Sequence, residues 1–199
     1  LMLGGCGVKK EKEADSELPK IVIGMDYFEP YSYQASDGEY KGIDVELAKE
    51  AFRRLGYRPK FENIVWEDKD ELLADGTVDC LWSSYSMNGR EDKYQWAGPY
   101  LYSRQMVVVK NESEIQTLSD LKGKRIAVQA TTKAEDLFLH NIKSDLPQMQ
   151  QVNCFSTTNE IYAALRKSYV DAIAGHEAML NSLVPVSYTH LTLPTICSV

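Results

Sequence analysis

No stretch of the sequence comes near the run of about 18 apolar residues that a membrane-crossing helix requires. Basic charge is also in short supply. The 22 Lys and Arg face 29 Asp and Glu, a net charge of −7, which excludes the concentrated basic face of a nucleic-acid binder. Cysteine is sparse. The four present, Cys6, Cys80, Cys154 and Cys197, include no pair at the short spacing of a zinc site or dithiol centre, so no metal or redox cofactor is expected. Nor is the chain a disulfide-stapled miniature domain. What remains is ordinary: 44% apolar and 26% charged residues, the composition of a folded chain and not of a disordered one. A length of 199 residues allows one or two domains.

One absence is local. After Glu177 no Asp, Glu, Lys or Arg occurs through Val199, a run of 22 residues. At the overall charge content such a run arises by chance about once in a thousand trials. Asn181, Pro185, His190 and Pro194 interrupt it, so it is not a span either. Its end, Val186-Ser187-Tyr188-Thr189-His190-Leu191-Thr192-Leu193-Pro194 onward, resembles translated sequencing-adapter sequence of the kind found at broken ends of metagenomic gene models. Residues 185–199 are therefore expected to be a non-native tail, with the native chain cut near Val184; the alternative is a natural Thr-rich strand.

The other end is as distinctive. Leu3-Gly4-Gly5-Cys6 resembles a bacterial lipobox, which makes Cys6 the candidate lipidation site once a signal peptide is removed. Residues 8–17 are charged and aperiodic, as suits a flexible tether. Residues 1–19 are thus expected to be processing site and tether, holding the protein outside the cytoplasm on the cell membrane or in the periplasm.

The body reads as alternating strands and helices. Ile21-Val22-Ile23-Gly24 has the character of a buried parallel strand. Asp44 is expected to cap a helix whose apolar face is Val45, Ala48, Ala51, Phe52 and Leu55, stopped by Gly56. Residues 61–65 predict a strand, 66–74 a short helix, and 78–82 a third strand. The plan then repeats: strands over 105–110 and 125–129, a helical turn over 118–121, and a helix from Thr132 to about Asn141 with a Thr-x-x-Glu capping box. A second such box at Thr157–Glu160 opens another helix, and 170–174 is the next strand. Two successive α/β units imply two lobes with a ligand cleft at the carboxyl ends of the strands. Lobe 1 is expected over 20–104, still lacking its C-terminal return. The hinge strand and a truncated lobe 2 follow over 105–184.

Ordered motifs along this body carry a resemblance. They are Ile23-Gly24-Met25-Asp26-Tyr27-Phe28-Glu29-Pro30-Tyr31, Gly42-Ile43-Asp44, Trp66 with Asp79, Ser83-Ser84-Tyr85-Ser86 with Arg90, Gly98-Pro99-Tyr100, Asp120 to Gln129 with Ala130-Thr131-Thr132, and Val170-Asp171-Ala172-Ile173. Residues 20 to about 184 resemble an extracellular solute-binding protein of a bacterial ABC importer, of the polar-amino-acid-binding family (family 3). The resemblance implies an α/β, two-lobe periplasmic-binding-protein-like (type II) fold, here C-terminally truncated. It also implies that the protein binds a small polar solute, most simply an amino acid, by hinge closure and delivers it to a membrane permease. The protein is then expected to act as a monomer, without cofactor, nucleic acid or catalytic step.

By the same resemblance Arg90 takes the ligand carboxylate, a task that suits a guanidinium's two parallel donors; its bland alternative is a pair with Glu91 or Asp92. Thr132, and Thr131 beside it, match the second-lobe residues at that carboxylate, where a helix start favours an anion. Ser84 and Ser86 match first-lobe pocket residues. Phe28, Tyr31, Trp66 and Tyr85 are candidates for the aromatic wall, with ordinary core as the alternative. Asp26 suits a basic side chain or simply orders its loop. One position departs from the family. Where an acidic residue usually meets the ligand ammonium stands His176, followed by Glu177, which takes the role with a small shift; a His there would bring pH dependence near 6.5. Two other functions are compatible with the fold: a periplasmic-type dehydratase acting on arogenate or prephenate, and the sensor domain of a membrane receptor.

Overall fold

A computed structural model describes residues 18–140, 146–183 and 188–198. The lipobox, Cys6, the tether through residue 17 and Asn141 lie outside the described residues. The first lobe is built on three parallel strands in the order β4-β1-β5: β1 Lys20–Met25, β4 Arg58–Asn63 and β5 Cys80–Leu81. The two-residue strands β2 (Tyr33–Gln34) and β3 (Tyr40–Lys41) form a small hairpin before helix α1, Ile43–Arg54. In α1, Val45 and Ala48 are fully buried, and Gly56 in the left-handed region ends the turn. A single 3-10 turn, Trp66–Asp68, runs into helix α2, Lys69–Ala74.

Helix α1 corrects one expectation. Its N-cap is Gly42, not Asp44. Gly42 has φ 120°, and a Cβ there would collide with the Tyr31 carbonyl, so only glycine fits the close approach. Asp44 lies inside the first turn and is buried. It accepts hydrogen bonds from the Ser84 hydroxyl at 2.9 Å and the Tyr100 hydroxyl at 3.0 Å. The third strand is also shorter than expected, pairing only as Ile23↔Cys80 and Gly24↔Leu81. Beside it Trp82, Tyr94, Trp96 and Tyr100 line an open apolar hollow.

The second lobe has five strands in the order β10-β6-β9-β7-β8. They are β6 Tyr102–Lys110, β7 Arg125–Gln129, β8 Gln151–Phe155, β9 Ala172–His176 and β10 Tyr188–Ser198. Strands β8, β7 and β9 are parallel; β6 runs antiparallel to β9 and to β10. The period of two shows in β6: Met106 and Val108 join one buried cluster with Ile161, Leu165 and Ile173, while Val107 and Val109 join the other with Ile126, Val128 and Leu137. Helices α3 (Lys133–Phe138) and α4 (Thr158–Arg166) cover the sheet, and α5 (Glu177–Leu183) follows β9. The Thr157–Glu160 capping box forms in full, with Glu160 N–H donating to Thr157 Oγ1 at 3.3 Å and the Glu160 carboxylate accepting from Thr157 N–H at 3.0 Å.

The Thr132 box does not form as expected. Thr132 is the N-cap of α3, but its hydroxyl donates to the Gln129 carbonyl at 2.6 Å, and Glu135 reaches back to the N–H of Thr131 at 2.7 Å. The helix ends at Phe138. The segment expected to be foreign includes β10, paired with β6 from Tyr188↔Lys110 to Ser198↔Tyr102 with an irregularity between Thr192 and Ile196. Pairing with an edge strand requires only free backbone groups and β-prone residues. Cys80 and Cys154 are both free thiols. No described helix is long and apolar enough to cross a membrane.

Candidate ligand-binding site

The cleft lies at the carboxyl ends of the parallel strands of both lobes, where such sheets leave a crevice. From lobe 1 come the loop after β1, with Asp26 and Phe28, the turn at Trp66, and the loop after β5, with Ser83 to Ser86. From lobe 2 come Gln129 at the end of β7, Thr132 and Lys133 at the start of α3, and His176 at the end of β9. Together these line one cavity of about 340 Å³, its open mouth included.

The two lobe-1 loops are tied to each other. Ser83 Oγ accepts from the Asp26 N–H at 3.2 Å and meets Ser32 Oγ at 3.1 Å, while Ser32 Oγ donates to the Asp26 carbonyl at 2.9 Å. Ser84 sits at φ 50° with its hydroxyl committed to Asp44, so that hydroxyl faces the lobe and not a ligand. Ser86 differs: only 2% exposed, its hydroxyl has no hydrogen-bond partner among the described residues. A buried hydroxyl without a partner is costly, and this one lines the cavity.

The aromatic candidates divide. Trp66 and Tyr85 line the cavity edge to face, ring centres 5.1 Å apart. Tyr85 continues into Tyr94 and Trp96 at 5.6 and 5.7 Å. Phe28 lines the cavity while packing into the lobe-2 core, with His176 at 5.6 Å edge to face. Tyr31 does not line it. It stacks behind Phe28 at 5.8 Å.

Asp26 and His176 are both mostly buried, and burial disfavours the charged form of each. Burial pushes the Asp26 carboxyl up to about 6, against the lowering effect of hydrogen bonds from the Gln129 amide and the Tyr27 N–H. Burial pulls His176 down to about 4, with Arg90 adding to the effect. His176 is therefore neutral near pH 7, which corrects the expected titration near 6.5. Its Nδ1 lies 3.0 Å from Ser103 Oγ. His176 ends β9 and does not begin a helix. Glu177 begins α5 and makes a bidentate pair with Arg104 at 2.9 and 3.2 Å. It does not line the cavity.

At the other end cations gather. Arg90 donates to Asp136 of lobe 2 at 2.7 Å, the pair 11% and 28% exposed, and not to Glu91 or Asp92. Its guanidinium also stacks 5.1 Å from the Tyr85 ring centre. Lys133 of lobe 2 donates to the Asn88 carbonyl of lobe 1 at 3.3 Å and lies 3.8 Å from Asp136. Lys69 of lobe 1 donates to Thr131 Oγ1 of lobe 2 at 2.9 Å. Further bridges are Ser156 to Glu67 at 2.8 Å, Ser182 to the Glu29 carbonyl at 2.7 Å, and Gln129 to Asp26. The lobes are thus in contact around the cleft.

The bacterial extracellular solute-binding proteins of family 3 match residues 21–172. The chain belongs to that family. Its relatives include the L-cystine-binding protein TcyJ of Escherichia coli strain K12, 28% identical over 161 residues, covering 79% of this chain and 59% of that protein. Glutamate-binding protein GluB of Corynebacterium efficiens is 28% identical over 197 residues, covering 90% of this chain and 64% of that one. The chain therefore spans about three fifths of the length of these relatives. Among solved structures, a substrate-binding protein of a Streptococcus pneumoniae ABC uptake transporter with bound histidine superposes with a TM-score of 0.81 at 26% identity, over 98% of this chain and 84% of that one. Holo ArgBP from T. maritima gives 0.79 at 23% identity, over 96% and 83%. The family and these neighbours identify the two-lobe fold expected from the motifs.

Of the expected residues, Asp26, Phe28, Trp66, Ser84, Tyr85, Ser86, Thr132 and His176 meet at the cavity, while Arg90 and Thr131 stand beside it, engaged by Asp136 and Lys69. Sequence reasoning missed Ser83, Gln129, Lys69, Lys133 and Asp136. For Gln129 a signal existed, since it is the last residue of a parallel strand. For Lys69 none did, because Glu67-Asp68-Lys69-Asp70-Glu71 reads as a solvated charged run.

Proposed function

We propose that the protein is the extracytoplasmic binding component of an ABC importer, closing on an amino acid and presenting it to a membrane permease. The observation that carries this reading is the convergence of groups from both lobes on one small cavity: the unpartnered Ser86 hydroxyl and the Arg90 region from lobe 1, and Thr132, Lys133 and Gln129 from lobe 2. A ligand that touches both lobes binds the closed state better than the open one, and that difference drives closure. The acidic and cationic ends of the cleft suit the ammonium and the carboxylate of a zwitterion. On this reading Arg90 exchanges Asp136 for the ligand carboxylate, with Lys133 near enough to receive Asp136. Trp66, Tyr85 and Phe28 form the wall, and Asp26 meets the ammonium.

The protein is proposed to bind without catalysing a reaction and to work as a monomer, anchored through a lipidated Cys6 and a tether. Cystine-, glutamate- and arginine-binding relatives and a histidine-bound neighbour support an amino acid as the ligand class. The test is a thermal-shift screen of the full-length protein over the amino acids, since a ligand bound only by the folded state raises the midpoint. At least one amino acid should give a shift that Arg90→Ala removes. The absence of any shift would overturn the reading.

A further inference from the structure

Lys69 is 2% exposed, yet no carboxylate lies within ion-pairing distance of its ammonium among the described residues. Of its three N–H donors, one reaches the Trp66 carbonyl at 3.2 Å and one reaches Thr131 Oγ1 at 2.9 Å; the third has no acceptor among the described residues. The Trp66 and Tyr85 rings flank it at 5.4 and 5.6 Å, offsetting only part of the cost of a dry cation. Burial pulls its pKa below the ordinary lysine value; Asp70 and Glu135 oppose this at longer range, while Lys93 and Arg90 add to it. A buried charge is costly unless matched by an opposite one. Arg90 and Lys133 already share Asp136. Lys69 has no such partner.

Its position indicates where the missing anion belongs. Both side chains that flank Lys69 line the ligand cavity, and the residue that closes over it, Thr131, belongs to the opposite lobe. Tyr85 is the ring shared by Lys69 and Arg90, whose charges lie 5.6 and 5.1 Å from its centre. Around this wall Arg90 and Lys133 share Asp136, while Lys69 meets Asp70 and Glu135 only at longer range, so its ammonium is the cation left without a direct counter-charge among the described residues.

We propose that Lys69 is a specificity-determining residue that takes a second acidic group of the ligand, so that the site selects amino acids carrying two carboxylates. This rests on the reading that the cleft binds an amino acid. Arg90 then holds one carboxylate and Lys69, with Thr131 alongside, the other. The side chain thereby becomes paired in the ligand-bound, closed state, which adds to the ligand's preference for that state.

The experiment is titration calorimetry of the full-length protein with L-aspartate, L-glutamate and L-cystine, against L-asparagine, L-glutamine and L-arginine. A dicarboxylic ligand is expected to bind about tenfold or more tightly than the amides and arginine. Lys69→Met should bring that preference to within about threefold, while Lys69→Arg keeps it. The ligand-free melting midpoint of Lys69→Met should not fall below the wild type, because an unpaired buried charge has been removed. If Lys69→Met retains the preference, or the wild type binds an amide or arginine as tightly as any diacid, the inference is overturned while amino-acid binding stands. If no amino acid binds at all, the amino-acid reading itself has failed, and this inference with it.

Discussion

The two ends of the cleft solve the burial of ionisable groups in opposite ways. At the Asp26 end each group tends to its neutral form and finds a neutral partner: Asp26 the Gln129 amide, His176 the Ser103 hydroxyl and the edge of Phe28. At the Tyr85 end cations gather instead: Arg90 and Lys133 share the carboxylate of Asp136, while Lys69, bonded to Thr131 Oγ1, has no carboxylate within ion-pairing distance among the described residues. Burial shifts the titration of both groups at the first end, and the second leaves one cation without a direct counter-charge among the described residues. The difference predicts that affinity answers to substitutions at the cationic end and pH dependence to those at the acidic end.

The largest effect should come from the cationic end. Arg90→Ala removes the guanidinium proposed to hold the ligand carboxylate and leaves Asp136 to Lys133 alone. Loss of one partner from a desolvated charge pair costs about 2–5 kcal/mol, so affinity should fall at least about 30-fold. Calorimetry on the full-length variant measures this. A fall of less than about threefold would mean that the carboxylate lies elsewhere.

The acidic end should answer to pH instead. Asp26 rises from 3.8 to about 6 on folding, so its contribution to stability is full below 3.8 and lost as pH rises towards 6. His176 falls from 6.5 to about 4, so its contribution is full above 6.5 and lost as pH falls towards 4. In the wild type these slopes oppose each other across one window. Asp26→Asn should therefore leave a protein that loses stability on acidification from pH 6.5 to 4, and His176→Gln one that gains it from pH 6 to 4. After solvent screening each tilt is about 1–2 kcal/mol. Melting midpoints against pH, compared between the variants, check the two signs. Parallel profiles would break the contrast between the ends.

A smaller change of opposite sign is expected from Asp136→Asn. It frees Arg90 from a pair worth about 1 kcal/mol, so carboxylate ligands should bind about three- to tenfold more tightly. Unchanged or weaker binding in calorimetry would mean that Asp136 does not compete with the ligand.

How much of this was legible in the sequence follows from what each residue's role depends on. The strand-and-helix alternation, the α4 capping box and the Gly56 stop depend on neighbours a few residues away, and all form as the spacing suggests. The motifs after β1 and β5 marked the lobe-1 face because strand ends in parallel sheets face the crevice. Asp44 was misread as a cap because its partners, Ser84 and Tyr100, are 40 and 56 residues away. The Arg90–Asp136 and Lys69–Thr131 contacts join residues 46 and 62 apart across two lobes, and no local pattern encodes them. His176 shows the same limit in its electrostatics: the residue was noticed, but its burial, which decides its charge, comes from the β6 and Phe28 packing.

The smallest effect tests whether the contrast is confined to the cleft. Thr157 caps α4 in the second lobe, outside the cavity, and its box with Glu160 is exposed. Thr157→Ala should lower stability by about 1 kcal/mol, or roughly 2–4 °C in midpoint, because one N-cap acceptor is lost. The α4 face behind it, Ile161 and Leu165, packs against the sheet whose strand ends carry Gln129 and His176. If the cleft's two ends act only through their own groups, ligand affinity and the pH tilts should be unchanged in this variant. A change in affinity beyond about twofold would mean that lobe-2 stability itself sets closure, and the contrast between the ends would then rest on the scaffold as well as on its charges.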